Sequence, residues 1–333
     1  MSILPAGLFS KTIDISAHIG YYYIVDPIEL CHKIITGMAE MNSVYLYTYE
    51  CRSIYTHGLI DLLDRLCALH HWNKSDIYIC TGTTIDTHPE YPVSHLLIRN
   101  LTTIDPSLIT PQEWNRKYKY GMFIGRASAT RMYASMKHHR FAHNASGLTS
   151  FNHNIRNVLD NNDAITYLGY SGQTVDEMYD TISSYSDIDD QFLNTSTGVS
   201  YPQNIVNENV WDNVYANIPI EIICETLTDE GDFQMSEKLI RPILYKRPFL
   251  LISAPGSFAF LNNLIGIRFF EGVIPTYYDE FSHQYRVDQV FNILNDLIES
   301  GDINYIIENC KEDIDHNYNM LVEHFKFNQQ WIK

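Results

Sequence analysis

The stretch Glu221–Phe258, EIICETLTDEGDFQMSEKLIRPILYKRPFLLISAPGSF, decides how the chain folds. It reads as a strand ending in a carboxylate at Glu225, a polar loop, Ser236-Glu237-Lys238 opening a helix, and a second strand closing on Ala254-Pro255-Gly256-Ser257. Open α/β sheets bind ligands in the crevice outside the carboxyl ends of their strands. An acid ending a strand and a charged pair starting a helix stand at that edge.

The first third of the chain has the same alternation. SVYLYTYE (43–50) and SDIYICTG (75–82) have the β-branched and aromatic content of strands. Between them THGLIDLLDRLCALHHW sets Leu59, Leu62, Leu63, Leu66 and Leu69 near helical spacing, a β-α-β unit. SHLLIRNLT (94–102) is a further strand candidate. Strand and helix in alternation imply a parallel sheet with helices on its faces. Asp105-Pro106 and Thr110-Pro111 break the pattern, and TPQEW predicts a short helix capped by threonine. KYKYGMFIGR (117–126) restarts it as a strand, with ATRMYASMKHHR as the next helix. The expected domains are therefore 1–116 and 117–333.

From Asn144 to Asn213 the chain is polar, and SSYSDIDDQFLNTSTG has loop chemistry without apolar periodicity. Beyond Tyr277 it reads as helical to the end, a tail expected to pack back on the first domain.

A chain of 333 residues fits two domains of about 100–200 residues each. The net charge of −17 favours solubility and disfavours a surface that grips nucleic acid or anionic lipid throughout. The six cysteines, at 31, 51, 67, 80, 224 and 310, include no C-x-x-C pair and sit largely in apolar runs, as reduced thiols do. No apolar run approaches a membrane span, and MSILPAGLFSKT lacks a basic region before a long apolar core. A soluble, cytoplasmic protein is expected.

Two places could carry chemistry. In Phe123-Ile124-Gly125-Arg126-Ala127-Ser128-Ala129-Thr130-Arg131 a strand passes through small residues into a helix, with arginines at 126 and 131. Small residues let backbone N–H groups approach a phosphate, and a guanidinium grips two oxygens at once. At Ser236-Glu237-Lys238, serine caps and Glu237 suits the helix dipole, but Lys238 opposes it unless an anion is also present. A nucleoside diphosphate would use both charges, the carboxylate on ribose hydroxyls and the ammonium on phosphate.

These two segments resemble the α-1,3-fucosyltransferases of glycosyltransferase family 10. Their nucleotide-sugar segment has a strand ending in Phe-Glu-Asn, a loop, Tyr-x-Thr-Glu-Lys, a helix, and a strand running into a Gly-Ser/Pro turn. IGRASATRMYASM is similar to the family's Ser-Asn-x-x-x-x-x-Arg turn, its last arginine falling on Arg131. The resemblance covers residues 118–262. It implies a GT-B architecture, two Rossmann-like domains with parallel sheets facing across a cleft. The resemblance puts Arg131 and Lys238 on the donor diphosphate, Glu237 on its ribose and Glu225 toward the sugar or the reacting centre. Ser236, Gly256 and Ser257 would support the donor site, and Arg126 could add to the diphosphate contacts. The partners implied are a nucleoside diphosphate-sugar donor and a glycan or other hydroxyl acceptor, with no cofactor and no metal.

One departure concerns the base. The family's Thr-Gly-Glu, whose glutamate looks like the general base of an inverting reaction, corresponds to Thr81-Gly82-Thr83 here. Asp86, three residues on, and Glu50, ending the neighbouring strand, are the nearby acids, and Asp86 is the favoured catalytic candidate with Glu225. Asp187-Ile188-Asp189 matches a metal-holding Asp-x-Asp but lies in a polar loop. The adjacent histidines at 70–71 and 138–139 point apart on a helix. Arg241, one turn beyond Lys238, reads either as phosphate support or as an exposed cation. The expected function is metal-independent, inverting glycosyl transfer. The alternatives are an inactive nucleotide- or glycan-binding protein of the same fold, and a viral enzyme, acting in the host cytoplasm, that modifies hydroxymethylated DNA bases.

Overall fold

The computed structural model describes residues 12–14, 24, 26–41, 43–48, 58–81, 88–95, 109, 113–115, 117–124, 129–151, 208–225, 236–281, 283–301 and 303–332. The fold is α/β with parallel sheets. The chain divides into two compact units, one of residues 1–103, 231–235 and 326–333, the other of residues 104–230 and 236–325.

In the first unit β1 (Thr12–Asp14), β2 (Val44–Thr48), β3 (Ile77–Thr81) and β4 (Val93–His95) form a parallel sheet in chain order. Alternation along the strands buries Val44, Leu46, Ile77 and Ile79. Helix α1 (Pro27–Met41) adds Leu30, Ile34 and Met38, and α2 (Leu59–His70) adds Leu59, Leu63 and Leu66, so one helical stripe from each completes that core. Each such side chain stabilises the unit by about 1.5–3 kcal/mol. Tyr45 and Tyr78, paired in register, stack with ring centroids 4.5 Å apart. The turn before β4 is tied to α2, because the Tyr91 hydroxyl donates to Asp64 at 2.7 Å and Lys74 bridges Asp64 and Glu90.

The second unit holds β5 (Tyr120–Ile124), β6 (Gly147–Phe151), β7 (Glu221–Cys224) and β8 (Phe249–Ile252), all parallel, in the order β6-β5-β7-β8. Every residue of β5, β7 and β8 is buried, as in a sheet covered on both faces. Its described helices are α3 (Ala129–Arg140), α4 (Glu208–Asn217), α5 (Glu237–Leu244), α6 (Ser257–Ile265), α7 (His283–Glu299), α8 (Ile303–Asn309) and the first part of α9 (Lys311–Ile332). The chain leaves β5 for β6 on one side and returns to β7 on the other. In open α/β sheets such a reversal point is where ligands bind, outside the carboxyl ends of the strands, here those of β5 and β7.

Several expectations need correction. Glu113–Asn115 form no helix: the Asn115 N–H is drawn to Ala216 O at 2.8 Å and its amide to Asn217, both at the end of α4. The polar region from Asn144 contains both β6 and α4. β6, GLTSF, has the composition of a loop, and pairing with β5 makes it a strand; the Tyr120 ring lies so close to Gly147 that a Cβ there would meet it at 2.3 Å. α4 buries Trp211, Val214 and Tyr215 at helical spacing. Of the strand expected over 94–102 the described part is β4; residues 96–102 lie outside the described residues. The described cysteines 31, 67, 224 and 310 are free thiols. No described helix is long and apolar enough to cross a membrane.

Candidate functional site

Strand β7 ends at Cys224, and what gathers around that end is charged. Arg131, in the first turn of α3, is buried, and both its Nε and Nη2 donate to the Cys224 carbonyl, at 3.1 and 2.9 Å. The next residue, Glu225, donates its backbone N–H to Ile252 O of β8 at 2.9 Å and is wholly buried. Its Oε1 accepts the Ser236 N–H at 3.2 Å and its Oε2 the Ser236 hydroxyl at 2.6 Å.

Ser236 is the N-cap of α5, extended at φ −110° and ψ 175°. Its Oγ accepts the Lys238 N–H at 3.2 Å, and Lys238 Nζ lies 3.4 Å from the same oxygen. A hydroxyl has one proton and two lone pairs, so the proton given to Glu225 and the two contacts from Lys238 use all three. The cap is therefore held from behind by a carboxylate. Lys238 is buried although it sits in the first turn, where a cation opposes the dipole.

The Cys224 thiol registers the convergence. Burial pushes it up to about 12, Arg131 and Lys238 pull it down, and Glu225 and Glu221 add to the rise. Arg131, Lys238, Glu225 and Glu221 thus all act on the carboxyl-terminal residue of β7.

Arg241 belongs elsewhere. It is buried rather than exposed: its guanidinium pairs with Glu221 at 3.1 Å and lies over the Trp211 ring at 3.8 Å. The Tyr215 hydroxyl donates to the other Glu221 oxygen. Burial raises the Glu221 carboxyl, with Arg241 opposing it most strongly.

Gly256 and Ser257 lie at the end of β8 in a separate network. Gly256 has φ 77°, a left-handed conformation that glycine adopts without strain, at the start of α6. Asp279 accepts from the Ser257 hydroxyl and the Phe258 N–H, both at 3.0 Å, and so holds the amino terminus of α6. Arg286, buried, donates to the Ser253 and Ala254 carbonyls at 2.8 and 2.9 Å and to Asp279 Oδ1 at 2.8 Å. No sequence pattern marks Asp279, Arg286, Glu221 and Tyr215, because each finds its partner through tertiary contact.

Asp86, Arg126, Thr83, Glu50, Asp187 and Asp189 lie outside the described residues. Glu237 is the first residue of α5, and its backbone alone is described. Among the described residues no group of three or more His, Cys, Asp and Glu is placed to hold a metal. His138 is buried, with Nδ1 2.7 Å from the Tyr120 hydroxyl and Nε2 3.5 Å from Thr149 Oγ1, so it links β5, α3 and β6.

No family model matches the chain, and no curated protein or solved structure does so either.

Proposed function

We propose that this chain is a glycosyltransferase of GT-B type, with two Rossmann-like domains facing across a cleft, that moves a sugar from a nucleoside diphosphate donor to a hydroxyl acceptor with inversion. The observation that supports it is the meeting of Arg131, Glu225, Ser236 and Lys238 at the reversal point of the β5–β8 sheet. Arg131 and Lys238 offset the charge that develops on the leaving diphosphate, a role fixed cations fill without a metal. Glu237 takes the ribose hydroxyls, and Arg126 adds a diphosphate contact. Asp86 takes the proton from the acceptor hydroxyl. Glu225 holds the Ser236 cap in place, so its part is to position Lys238.

Calorimetry with a panel of nucleoside diphosphates and nucleotide-sugars tests this reading. Lys238→Ala is expected to weaken the bound member at least about tenfold, or about 1.4 kcal/mol. An unchanged affinity in that variant would remove the site assignment. A second reading, a binding protein without transfer, is favoured by Thr83 at the position of the expected glutamate. Donor binding without transfer or hydrolysis across an acceptor panel would establish it instead.

A further inference from the structure

The turn that leads into β4 is closed by a side chain. His88 Nδ1 accepts the backbone N–H groups of Glu90 and Tyr91, at 3.1 and 3.2 Å. A neutral imidazole accepts through the nitrogen that carries no proton, so the ring is the Nε2–H tautomer. Pro89 and Pro92 flank the two amides and have no N–H of their own. Both backbone donors of residues 89–92 therefore go to one ring atom.

The side chains of the same turn are tied elsewhere. Tyr91 is buried, with its hydroxyl donating to Asp64 of α2 at 2.7 Å and lying 3.7 Å from Cys67 Sγ. Lys74, in the short turn Lys74–Asp76 before β3, bridges Asp64 and Glu90 at 2.8 and 2.7 Å. The Pro92 carbonyl accepts the Ile79 N–H at 2.9 Å and joins the end of the turn to β3. None of these contacts uses the imidazole.

Protonation acts on the ring alone. An imidazolium donates from both nitrogens and accepts at neither. A proton on Nδ1 removes both bonds and sets one N–H against two others. Histidine is the side chain whose ordinary titration, near 6.5, falls between pH 5 and 8. Among the described residues, the titratable groups around the ring are Asp64 and Cys67 on α2, Lys74, and Glu90 and Tyr91 in its own turn, the Tyr91 ring 5.0 Å away. The Asp64 carboxyl is held below its ordinary value, first by Lys74, against burial, then by Tyr91 and by charge on His88. Carboxylates thus offer the imidazolium the attraction that the backbone amides withdraw.

We infer that His88 is a pH-sensitive latch on the turn before β4: neutral, it holds the Glu90 and Tyr91 amides, and protonated, it releases them while the two side chains stay on Lys74 and Asp64. The latch does not depend on the proposed transferase reading. Hydrogen exchange read by mass spectrometry on the full chain tests it, with rates corrected for the intrinsic effect of pH. In peptides spanning residues 88–92 the prolines leave Glu90 and Tyr91 as the main reporting amides. Their protection is expected to fall by about tenfold between about pH 7.5 and about pH 5, with β3 and β5 unchanged. His88→Asn, whose amide oxygen replaces Nδ1 as acceptor and does not titrate, is expected to keep the protection at both pH values. His88→Ala is expected to lack it at both. The latch is refuted if wild-type protection does not change with pH, if His88→Asn loses it as the wild type does, or if His88→Ala retains it. A parallel loss in β5 would assign the change to general loosening around His138 and overturn the latch as well.

Discussion

Glu225 and Ser236 close on each other through two hydrogen bonds, the serine giving both its backbone N–H and its hydroxyl to the one carboxylate. The acid that follows β7 thereby fixes the residue that caps α5. Ser236→Ala removes the cap, worth about 1 kcal/mol, and strands a buried carboxylate oxygen, worth about 1–3 kcal/mol more. A loss of roughly 2–4 kcal/mol is expected in urea denaturation, with Ser236→Thr near wild type.

The same pair limits what Glu225 can do in catalysis. A general base contributes about 10²–10⁴-fold. As a positioning residue it should lose far less on Glu225→Gln, about tenfold or below in a transfer assay. A drop of a thousandfold, with donor affinity retained, would return Glu225 to the reacting centre.

Arg131 is structural as well as cationic. Arg131→Lys keeps a positive charge but cannot reproduce the two-nitrogen grip on the Cys224 carbonyl. A stability loss of about 1–2 kcal/mol is expected in addition to weaker donor binding. Arg131→Ala should cost more stability than Lys, so its binding data need a parallel melting curve.

Glu221 and Arg241 are a buried ion pair, and removing one partner of such a pair costs about 3–5 kcal/mol. Arg241→Met and Glu221→Gln should each approach that loss. Their combination should cost much less than the sum, because neither charge is left alone. Chemical denaturation of the three variants gives the coupling directly.

His138 makes stability depend on pH. Burial lowers it from its ordinary value of 6.5 to about 4. The unfolded chain therefore binds the proton first. Stability is complete above about pH 6.5 and is lost as pH falls toward 4, by at most about 3 kcal/mol. Denaturation midpoints at pH 7.5, 5.5 and 4.5 should converge between wild type and His138→Gln as pH falls. A constant difference would mean that His138 is not the group responsible.

Local pattern carried much of this fold. The β-branched and aromatic content of 44–48 and 77–81, the leucine spacing of 59–70 and the cap at Ser236 each depend on near neighbours, and all appear where the sequence predicts them. Patterns without near-neighbour support did not show. GLTSF is a strand because β5 lends it hydrogen bonds, and α4 was hidden by the asparagines and acids around Trp211 and Tyr215.

The site divides in the same way. Sequence alone located the end of β7 to within one residue, at Cys224 rather than Glu225, and the cap of α5 at Ser236, since strand ends and helix caps are written in consecutive residues. It also marked Arg131 and Lys238 as cations near helix starts. Tertiary structure decided where they point. The order β6-β5-β7-β8 brings Arg131 to the Cys224 carbonyl across a large sequence separation. Burial then sends Arg241 to Glu221 while Lys238, one turn earlier, stays with Ser236. A charge in a low-dielectric interior must find a partner, and which partner is in reach depends on the fold rather than on the neighbouring residues.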